Sequence, residues 1–363
     1  ANVTGSIYGG SAKGSGNATG NIVNLSANVG GDVYGGHANT GATTGNTVNL
    51  GDGTAPANLT VTGTIYGGNQ SGVGKDAGNT LNVKANASAH DIKNFKALNF
   101  TLNQHVNAGS AMLTLNEATG TQNLDWRTLN VTIENISGVP TKSYEAYTQK
   151  IMENTHGLNF MQGTTDTYAA MGIKESRNDG NFEYTLDTDT HSAHATRVEL
   201  VGYQFQNNTG ATYKATDGNH SEAWGGRTGI GNKVQNNRLT VTGGTLTTGA
   251  YGGLVENKKT GQTSGDAEKN TLTVEGGTLQ NAYGAEVRTK GGSASENRAE
   301  ISNGTIHGDV SGASLTAHDA TGNATNNHVK IAGGTVNGRV SGGALTDANA
   351  TGNATENSVT ITN

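Results

Sequence analysis

Residues 270–287 read Asn-Thr-Leu-Thr-Val-Glu-Gly-Gly-Thr-Leu-Gln-Asn-Ala-Tyr-Gly-Ala-Glu-Val, and three short phrases within this stretch decide the fold. Residues 270–274 have the form Asn-x-apolar-x-apolar, a Gly-Thr-Leu phrase occupies 277–279, and Ala-Tyr-Gly-Ala occupies 282–285. Alternation of apolar and polar side chains over so few residues is typical of short, half-buried β-strands. Three such strands are too short to form a core alone, so they are predicted to stack on equivalent strands of other copies.

Copies of the first phrase recur along the chain. They begin at Asn21, Asn46 and Asn79 in the N-terminal part and at Asn237, Asn270, Asn297, Asn327 and Asn357 in the C-terminal part. The spacings are 25 and 33 residues in the first group and 33, 27, 30 and 30 in the second, so the period is near 30. If one period makes one circuit, equivalent strands pair in parallel about 4.8 Å apart. Stacked asparagines are then expected to form amide ladders along the axis.

The period predicts an all-β protein, a right-handed parallel β-helix (β-solenoid) with a small mixed α/β insertion. Glycine and asparagine are expected at its corners, where left-handed backbone conformations are needed. A β-propeller is the alternative for a β-rich repeat. Its blades are longer than this period, and their aromatic signature is missing here.

Composition excludes several other classes. The 56 glycines have no period of three and only 2 prolines accompany them, which excludes collagen. The absence of cysteine removes disulfides, thiol nucleophiles and cysteine-ligated metal sites. A net charge of −6 spread over the chain gives no basic footprint for nucleic acid, and no apolar run approaches the length that spans a bilayer.

Breaks in the period divide the chain into four predicted segments. Residues 1–83 and 222–363 carry the repeat, 84–137 continue it with more closely spaced strands, and 138–221 form a non-repetitive insertion. Within the insertion, Tyr144, Tyr147 and Ile151 have helical spacing behind a possible N-cap at Ser143, which predicts a helix over residues 143–152.

A hairpin is predicted later in the insertion. Apolar side chains alternate at Phe182, Tyr184 and Leu186 and again at Val198 and Leu200, so residues 187–195 are expected to form the tip.

Motifs that carry chemistry are weak. Asp187, Asp189 and His191 share one face of an extended strand, as metal ligands can, but a solvated turn is the favoured interpretation and no metal site is predicted. Acidic and basic residues of the repeats are scattered in the sequence, and no Gly-x-Ser-x-Gly nucleophile elbow occurs. We therefore expect no enzyme activity, no catalytic residue and no cofactor.

Tyrosine recurs at one position of the repeat, directly before the glycine pair or its Gly-Ala equivalent. The residues are Tyr8, Tyr34, Tyr66, Tyr251 and Tyr283. Two interpretations remain open at this point: an exposed aromatic ladder that binds glycans or protein, or rings that pack at a corner against the glycines.

Other aromatic residues concentrate in and beside the insertion. Five of them are the candidate binding residues: Tyr144, Tyr147, Tyr203, Phe205 and Trp224. Loops on a rigid scaffold often carry binding groups, which favours recognition by the insertion. The alternative is that the insertion braces the solenoid as a packing module.

The phrases Gly-Asp-Val-Tyr-Gly-Gly at 31–36 and Gly-Asn-Ala-Thr-Gly-Asn at 16–21 resemble the passenger domains of bacterial autotransporter adhesins, over residues 1–83 and 222–363. The resemblance implies secretion through the outer membrane by the type V route and a location on the bacterial surface or outside the cell. It also implies adhesion to a host-cell or bacterial surface protein or glycan, possibly to the protein itself, with membrane attachment only through a translocator outside this sequence. A self-associating or spacer rod that mediates aggregation or biofilm formation and a β-helical polysaccharide-active enzyme are the alternative functions.

Overall fold

A computed structural model describes residues 2–54, 58–68, 77–106, 109–124, 129–135, 142–160, 177–179, 182–189, 194–229, 231–256 and 264–362. The chain forms two compact units. The first comprises Ala1–Val139, Thr148–Ser176 and Thr185–Val201, and the second comprises Pro140–Tyr147, Arg177–Tyr184 and Gly202–Asn363. Both are parallel β-solenoids, which confirms the predicted fold class, whereas the right-handed sense of the coil stays a prediction.

Three sheets build the first unit. The first sheet contains β1 (Ile7–Ala12), β3 (Val33–Ala38), β6 (Ile65–Tyr66) and β9 (Ile92–Lys93). The second contains β2 (Ile22–Leu25), β4 (Thr47–Leu50), β7 (Thr80–Val83), β10 (Ala97–Thr101) and β13 (Asn130–Glu134). The third begins with β5 (Asn58–Val61), β8 (Asn86–Ala89), β11 (Leu113–Leu115) and β14 (Tyr147–Phe160), with β12 (Thr121–Leu124) also paired to β14. Each strand pairs in parallel with its equivalent one coil later, as the period requires.

The third sheet continues into the insertion through β17 (His194–Gln204), which is hydrogen-bonded to β16 (Phe182–Thr188). These adjacent strands form the predicted hairpin, although residues 190–193 of its tip lie outside the described residues. β15 (Arg177–Asp179) pairs with the first residues of β16 in antiparallel fashion.

Two sheets build the second unit. The larger sheet contains β18 (Ala211–Tyr213), β19 (Asn219–Thr228), β21 (Arg238–Val255), β23 (Thr271–Leu279), β24 (Ala282–Val287), β26 (Arg298–Ile306), β27 (Val310–Leu315), β29 (His328–Ile331), β30 (Thr335–Val336), β31 (Val340–Leu345) and β33 (Ser358–Ile361). The smaller one contains β20 (Val234–Gln235), β22 (Ala267–Glu268), β25 (Ala294–Ser295), β28 (Ala324–Thr325) and β32 (Ala354–Thr355). A 3-10 turn over Ala215–Asp217 is the only helical segment among the described residues.

The inward side chains of successive coils lie in register. Leu239 pairs with Leu272, Leu272 with Ala299, and Ala299 with Val329, and all four are buried. Burial of one such aliphatic side chain stabilises the fold by roughly 1.5–3 kcal/mol. Stacking therefore supplies the core that a single coil lacks.

The asparagine that heads each phrase forms the predicted amide ladder, and it lies inside the protein. In the second unit the backbone N–H and the side-chain Nδ2 of Asn270 both donate to Oδ1 of Asn297, at 3.0 Å each. Asn297 donates to Asn327 in the same way, and its Nδ2 also donates to the carbonyl oxygen of Ala267. Asn46 and Asn79 repeat the arrangement in the first unit. These side chains are buried with their hydrogen-bonding groups paired, which explains why asparagine heads the phrase.

The first glycine of each Gly-Gly pair is required by close approach of the next coil. A Cβ placed on Gly252 would lie 2.4 Å from the carbonyl oxygen of Gly284, and one on Gly284 would lie 2.4 Å from that of Gly312. Alanine replaces the second glycine in some coils, since Ala285 is the register partner of Gly253, but a Cβ on Gly253 itself would lie 2.6 Å from the buried side-chain amide of Asn270. The glycine content of the repeat therefore reflects coil packing as well as corner geometry.

The predicted helix over residues 143–152 is wrong. The segment turns at Lys142–Glu145 and then enters β14, where Leu113 pairs with Met152. The N–H of Met112 also donates to the carbonyl oxygen of Lys150. Parallel pairing with the preceding coil and burial of Ile151 and Met152 override the local helical pattern. The described residues therefore give the insertion no α-helix.

Candidate binding surfaces

The five candidate aromatic residues are mostly enclosed. Tyr203, Phe205 and Trp224 are 6%, 2% and 3% exposed, so their rings pack inside the protein. Tyr144 and Tyr147 are half-buried, and burial raises the pKa of Tyr147. The structure thus offers little of this aromatic set to a partner, and its binding role stays a prediction.

Three of the candidate residues contact other aromatic or charged side chains, at two separate places in the structure. Tyr144 packs against His220, with ring centroids 4.1 Å apart, and against Tyr213 at 5.6 Å. Trp224 and Tyr203 both face the Arg227 guanidinium, whose carbon lies 4.6 Å and 4.7 Å from the two ring centroids. Cation–π contacts of this kind stabilise a desolvated arginine.

Arg288, directly after β24, holds a cluster that sequence reasoning missed. Its Nη2 lies 2.7 Å from Glu222 Oε1 and 2.7 Å from Glu286 Oε2, and its Nη1 lies 2.7 Å from Glu256 Oε1. Nη2 also donates to the Tyr251 hydroxyl at 3.0 Å. Burial alone would lower the pKa of Arg288, but the charge of Glu286 and the hydrogen bonds to Glu286 and Glu222 outweigh it and hold the pKa above its ordinary value.

A second arginine completes this cluster on β19. Arg227 donates through Nε and Nη2 to Oε2 of Glu256, at 2.8 Å and 2.6 Å. Burial raises the pKa of the neighbouring Tyr251 well above its ordinary range. The repeat contained a signal for the cluster: Glu256 follows Tyr251 by five residues and Arg288 follows Tyr283 by five, so the two are equivalent positions of adjacent coils.

The chemistry of the cluster is mainly charge compensation. Glu222 and Glu286 share one guanidinium nitrogen, so their carboxylate oxygens lie within about 5.4 Å of each other, near the spacing of about 5–5.5 Å between the carboxyl groups of retaining glycosidases. Arg288 fills the space between them, where a sugar would have to enter. In this arrangement the carboxylates neutralise arginines and hold adjacent coils together.

The tyrosine column of the first unit is a ring stack. Tyr8 and Tyr34 lie 5.0 Å apart and Tyr34 and Tyr66 4.7 Å apart, with nearly parallel planes, and His37 meets two of the rings edge-on. Tyr8 is 47% exposed and Tyr34 is half-buried, while Tyr66 is buried. Burial and the nearby Asp32 carboxylate raise the pKa of Tyr34 to about 12.

In the second unit Tyr251 and Tyr283 are 1% and 8% exposed. The packing interpretation therefore describes most of the tyrosine column, and the exposed-ladder interpretation describes only its first residue, Tyr8.

The outward face of the second sheet in the first unit carries a neutral amide ladder. Nδ2 of Asn49 donates to Oδ1 of Asn24 at 2.7 Å, Asn82 donates to Asn49 at 2.7 Å, and Asn99 donates to Asn82 at 2.9 Å. Each amide has further hydrogen-bonding capacity directed away from this chain of bonds. We name these four residues the amide row.

The equivalent outward face of the second unit is charged. Register pairing places five side chains in one row: Arg238, Thr271, Arg298, His328 and Ser358. We name these residues the basic row. A parallel row beside it contains Thr240, Thr273, Glu300, Lys330 and Thr360.

Two groups of histidine and aspartate residues have the composition of a metal site. Ligand atoms of His318, Asp319 and Asp347 lie within 4.8 Å of one another, but the Lys290 ammonium lies 3.7 Å from Asp319 and backbone N–H groups already donate to Asp347. The group is a surface cluster with its charges largely satisfied.

Asp187, Asp189 and His191 share a strand face in the sequence, but His191 lies outside the described residues and nothing is described of the Asp187 side chain. Asp189 accepts hydrogen bonds from the backbone of Thr196 and Arg197 at 2.8 Å and 3.1 Å. Burial alone would raise the pKa of Asp189, but the hydrogen bond that the Thr196 hydroxyl donates to Oδ2, together with the two backbone bonds, outweighs it and lowers the pKa. Asp189 therefore acts as the acceptor that closes the hairpin.

Comparisons with protein-family models, curated proteins and solved structures found no match to this chain. The described part of the chain has no helix with the length and apolar character needed to cross a membrane.

Proposed function

We propose that this protein is a surface-exposed adhesion rod, the passenger of a bacterial autotransporter, that binds host-cell or bacterial surface ligands. The observation that supports this proposal best is the pair of regular outward faces described above. Each presents hydrogen-bonding or charged side chains in rows at the spacing of the coils, about 4.8 Å.

Such rows suit adhesion because many weak contacts act together. A single exposed amide or hydroxyl contributes little, since it exchanges one hydrogen bond with water for one with the partner. A rigid row keeps neighbouring groups at a set spacing, so one contact raises the effective concentration of the next. The proposal therefore places recognition on the repeats and gives the enclosed aromatic residues of the insertion a packing role.

Self-association is the second candidate function, and the amide row favours it. Asn24, Asn49, Asn82 and Asn99 form an uncharged outward ladder that is exposed at Asn24 and half-buried at the other three residues, and its amides carry no charge that would repel a second copy. Amide ladders on facing sheets also pair well with each other. In this case the rod would join neighbouring cells that carry the same protein.

Beads coated with the chain test both functions. We expect wild-type beads to bind host cells or bacteria, and we expect loss of binding when Thr47→Lys and Asn82→Lys alter the outward face of the first unit or Arg238→Glu and Arg298→Glu alter that of the second. The matched control, Thr248→Lys with Gln280→Lys, changes exposed residues outside both rows. Circular dichroism establishes that each variant is folded.

The outcomes separate the candidates. Loss of cell binding in a face variant supports adhesion through the repeats. Bead clumping in the absence of cells that Thr47→Lys with Asn82→Lys abolishes supports self-association. If every face variant binds as the wild type does, the repeats are not the contact surface. Labelling of intact source bacteria by antibodies against the chain tests the surface location.

A further inference from the structure

We propose that the basic row of the second unit is a docking site for a linear sulfated polysaccharide. This inference rests on the proposed adhesion function and names the class of ligand that one face would bind.

The geometry of the row suits an extended, narrow ligand. Its side chains come from the same position of successive coils, so they follow one another at about 4.8 Å along the second unit. Arg238 and Arg298 are two coils apart, which separates their backbones by about 10 Å, and His328 follows one coil later. The hydroxyl group of Thr271 stands in the same row and can pair with a sugar hydroxyl, whereas the hydroxyl of Ser358 already shares a hydrogen bond with Nδ1 of His328 at 2.6 Å.

The charges of the row are available to a ligand. Arg238 and Arg298 are exposed, and neither has an ion-pair partner in the described part of the chain. The other arginine side chains that the structure describes in this unit form ion pairs. A carboxylate oxygen lies 2.6–2.9 Å from each of Arg227, Arg288 and Arg339. Among the arginine side chains that the structure describes in the second unit, only those of this row are both exposed and without an ion pair.

The adjacent row does not cancel this charge. Glu300 is its acidic residue, and the register partner of Glu300 on the next coil is Lys330. Across the two rows, Arg238, Arg298 and Lys330 oppose one carboxylate, so the face has two positive charges in excess when His328 is neutral. This local excess contrasts with the net charge of −6 of the whole chain.

These properties favour a sulfated polysaccharide over other polyanions. The planar guanidinium fork of arginine matches the oxygen geometry of a sulfate or phosphate group. The basic row is one side chain wide, and the exposed carboxylates of Glu296 and Glu356 lie two residues before Arg298 and Ser358. A thin chain can follow such a row, whereas a wide duplex brings its phosphates towards these carboxylates.

Immobilised heparin is the probe for this site, with chemically desulfated heparin as the ligand control. The test variant is Arg238→Thr with Arg298→Thr, because Thr271 already occupies the same row between the two positions. The charge-matched control is Lys13→Thr with Lys214→Thr, which removes two exposed cations outside the row. All three proteins are measured as the full chain.

We expect the wild type and the control to bind heparin alike, the test variant to bind about tenfold more weakly or worse, and desulfated heparin to bind none of them. Equal weakening in both variants, no binding by the wild type, or equal competition by duplex DNA would overturn the proposal.

The bead assay keeps this proposal distinct from the adhesion function. Cell binding that heparin does not inhibit, and that survives in the Arg238→Thr, Arg298→Thr variant, overturns the polysaccharide site and leaves adhesion standing. Specific heparin binding by beads that bind no cells supports the site and contradicts the adhesion function.

Discussion

The outward faces of the two units differ although the phrase Asn-x-apolar-x-apolar builds both. In the first unit the face bears an uncharged ladder that includes Asn49 and Asn82, and in the second it bears Arg238 and Arg298. Inward, both carry register-paired aliphatic side chains and the same buried asparagine ladder. The comparison teaches that stacking constrains the inward half of each strand, while the outward half varies and can acquire a ligand preference.

The aromatic columns differ in a related way. Tyr8, Tyr34 and Tyr66 stack ring on ring in the first unit. In the second unit, Tyr251 and Tyr283 are tilted by 49° to each other, and Tyr251 lies beside Arg288. Glu286 and Arg288 follow Tyr283 by three and five residues. In the second unit a buried ionic cluster therefore lies where the first unit has a stack of rings.

The largest effect is expected where the two units are most alike, at the first glycine of the pair. Gly252→Ala drives a Cβ into the carbonyl oxygen of the next coil, so we expect a loss of about 3 kcal/mol or more in the free energy of unfolding. Urea unfolding followed by circular dichroism measures it. Gly210→Ala is the control and should cost much less, because nothing lies within 4 Å of a Cβ placed on Gly210. An unchanged free energy of unfolding for Gly35→Ala in the first unit would contradict the claim that the coils of both units pack in the same way.

The next effect separates a buried arginine from an exposed one within the second unit. Arg288→Gln leaves three carboxylates without their common partner, so we expect a loss of about 3–5 kcal/mol in the free energy of unfolding. Arg298→Thr, by contrast, should change stability by no more than about 0.5 kcal/mol. Equal urea midpoints for the two variants would show that the cluster does not stabilise the fold.

A third effect separates the inner asparagine ladder from the amide row. Asn297→Ala removes the acceptor for two donors of Asn270 and leaves buried backbone groups unpaired, which is expected to cost about 2–4 kcal/mol. Asn46→Ala should cost a similar amount in the first unit. Asn82→Ala on the outward face should cost no more than about 0.5 kcal/mol, since water replaces its bonds. Thermal unfolding of the three variants orders them, and a large loss for Asn82→Ala would contradict the distinction.

The smallest effect has opposite pH dependence in the two units. Burial raises the pKa of Asp91 despite hydrogen bonding from Ile92 and the charge of Lys93, so this carboxylate favours the folded state below its ordinary pKa and disfavours it as pH rises. Asp91→Asn should therefore stabilise the protein at pH 7, by on the order of 1 kcal/mol, and have little effect at pH 3.

Asp309 of the second unit is the comparison. Its bond from Arg339 lowers the pKa of Asp309, so its contribution is present above the ordinary pKa and is lost as pH falls. Asp309→Asn should cost a few tenths of a kcal/mol at pH 7, after solvent screening of the exposed arginine, and almost nothing at pH 2. Urea midpoints measured at pH 7, pH 3 and pH 2 test both variants. A change of stability with the same sign at pH 7 for Asp91→Asn and Asp309→Asn would contradict the assignment.

Much of the fold was predictable because each coil repeats the same short sequence pattern. The inward positions of Leu272 and Val274, the head asparagine and the glycine pair can all be read from aligned copies. Prediction failed at residues 143–152, where a helical spacing of apolar residues coincided with strand pairing to the coil that contains Leu113. A window of ten residues contains no information about that partner.

The candidate surfaces were harder to predict than the fold. The sequence makes Tyr203, Phe205 and Trp224 candidate binding residues, and only the packed structure shows that they are enclosed. Glu222 and Arg288 are 66 residues apart, and they meet because the stack places β19 and β24 on either side of one coil, that of β21.

The period, the parallel stacking of the coils and the ladder of asparagines follow from the sequence alone, whereas the burial of that ladder is a finding of the structure. A pattern repeated every 30 residues or so has one way to cover its apolar side chains, which is to lie against its own next copy. The tertiary structure alone decided that residues 147–160 form a strand, that the carboxylates converge on Arg288, and that Arg238 and Arg298 stay unpaired in one row. Those features depend on contacts between coils of unequal length, and such contacts exist only after the stack has formed.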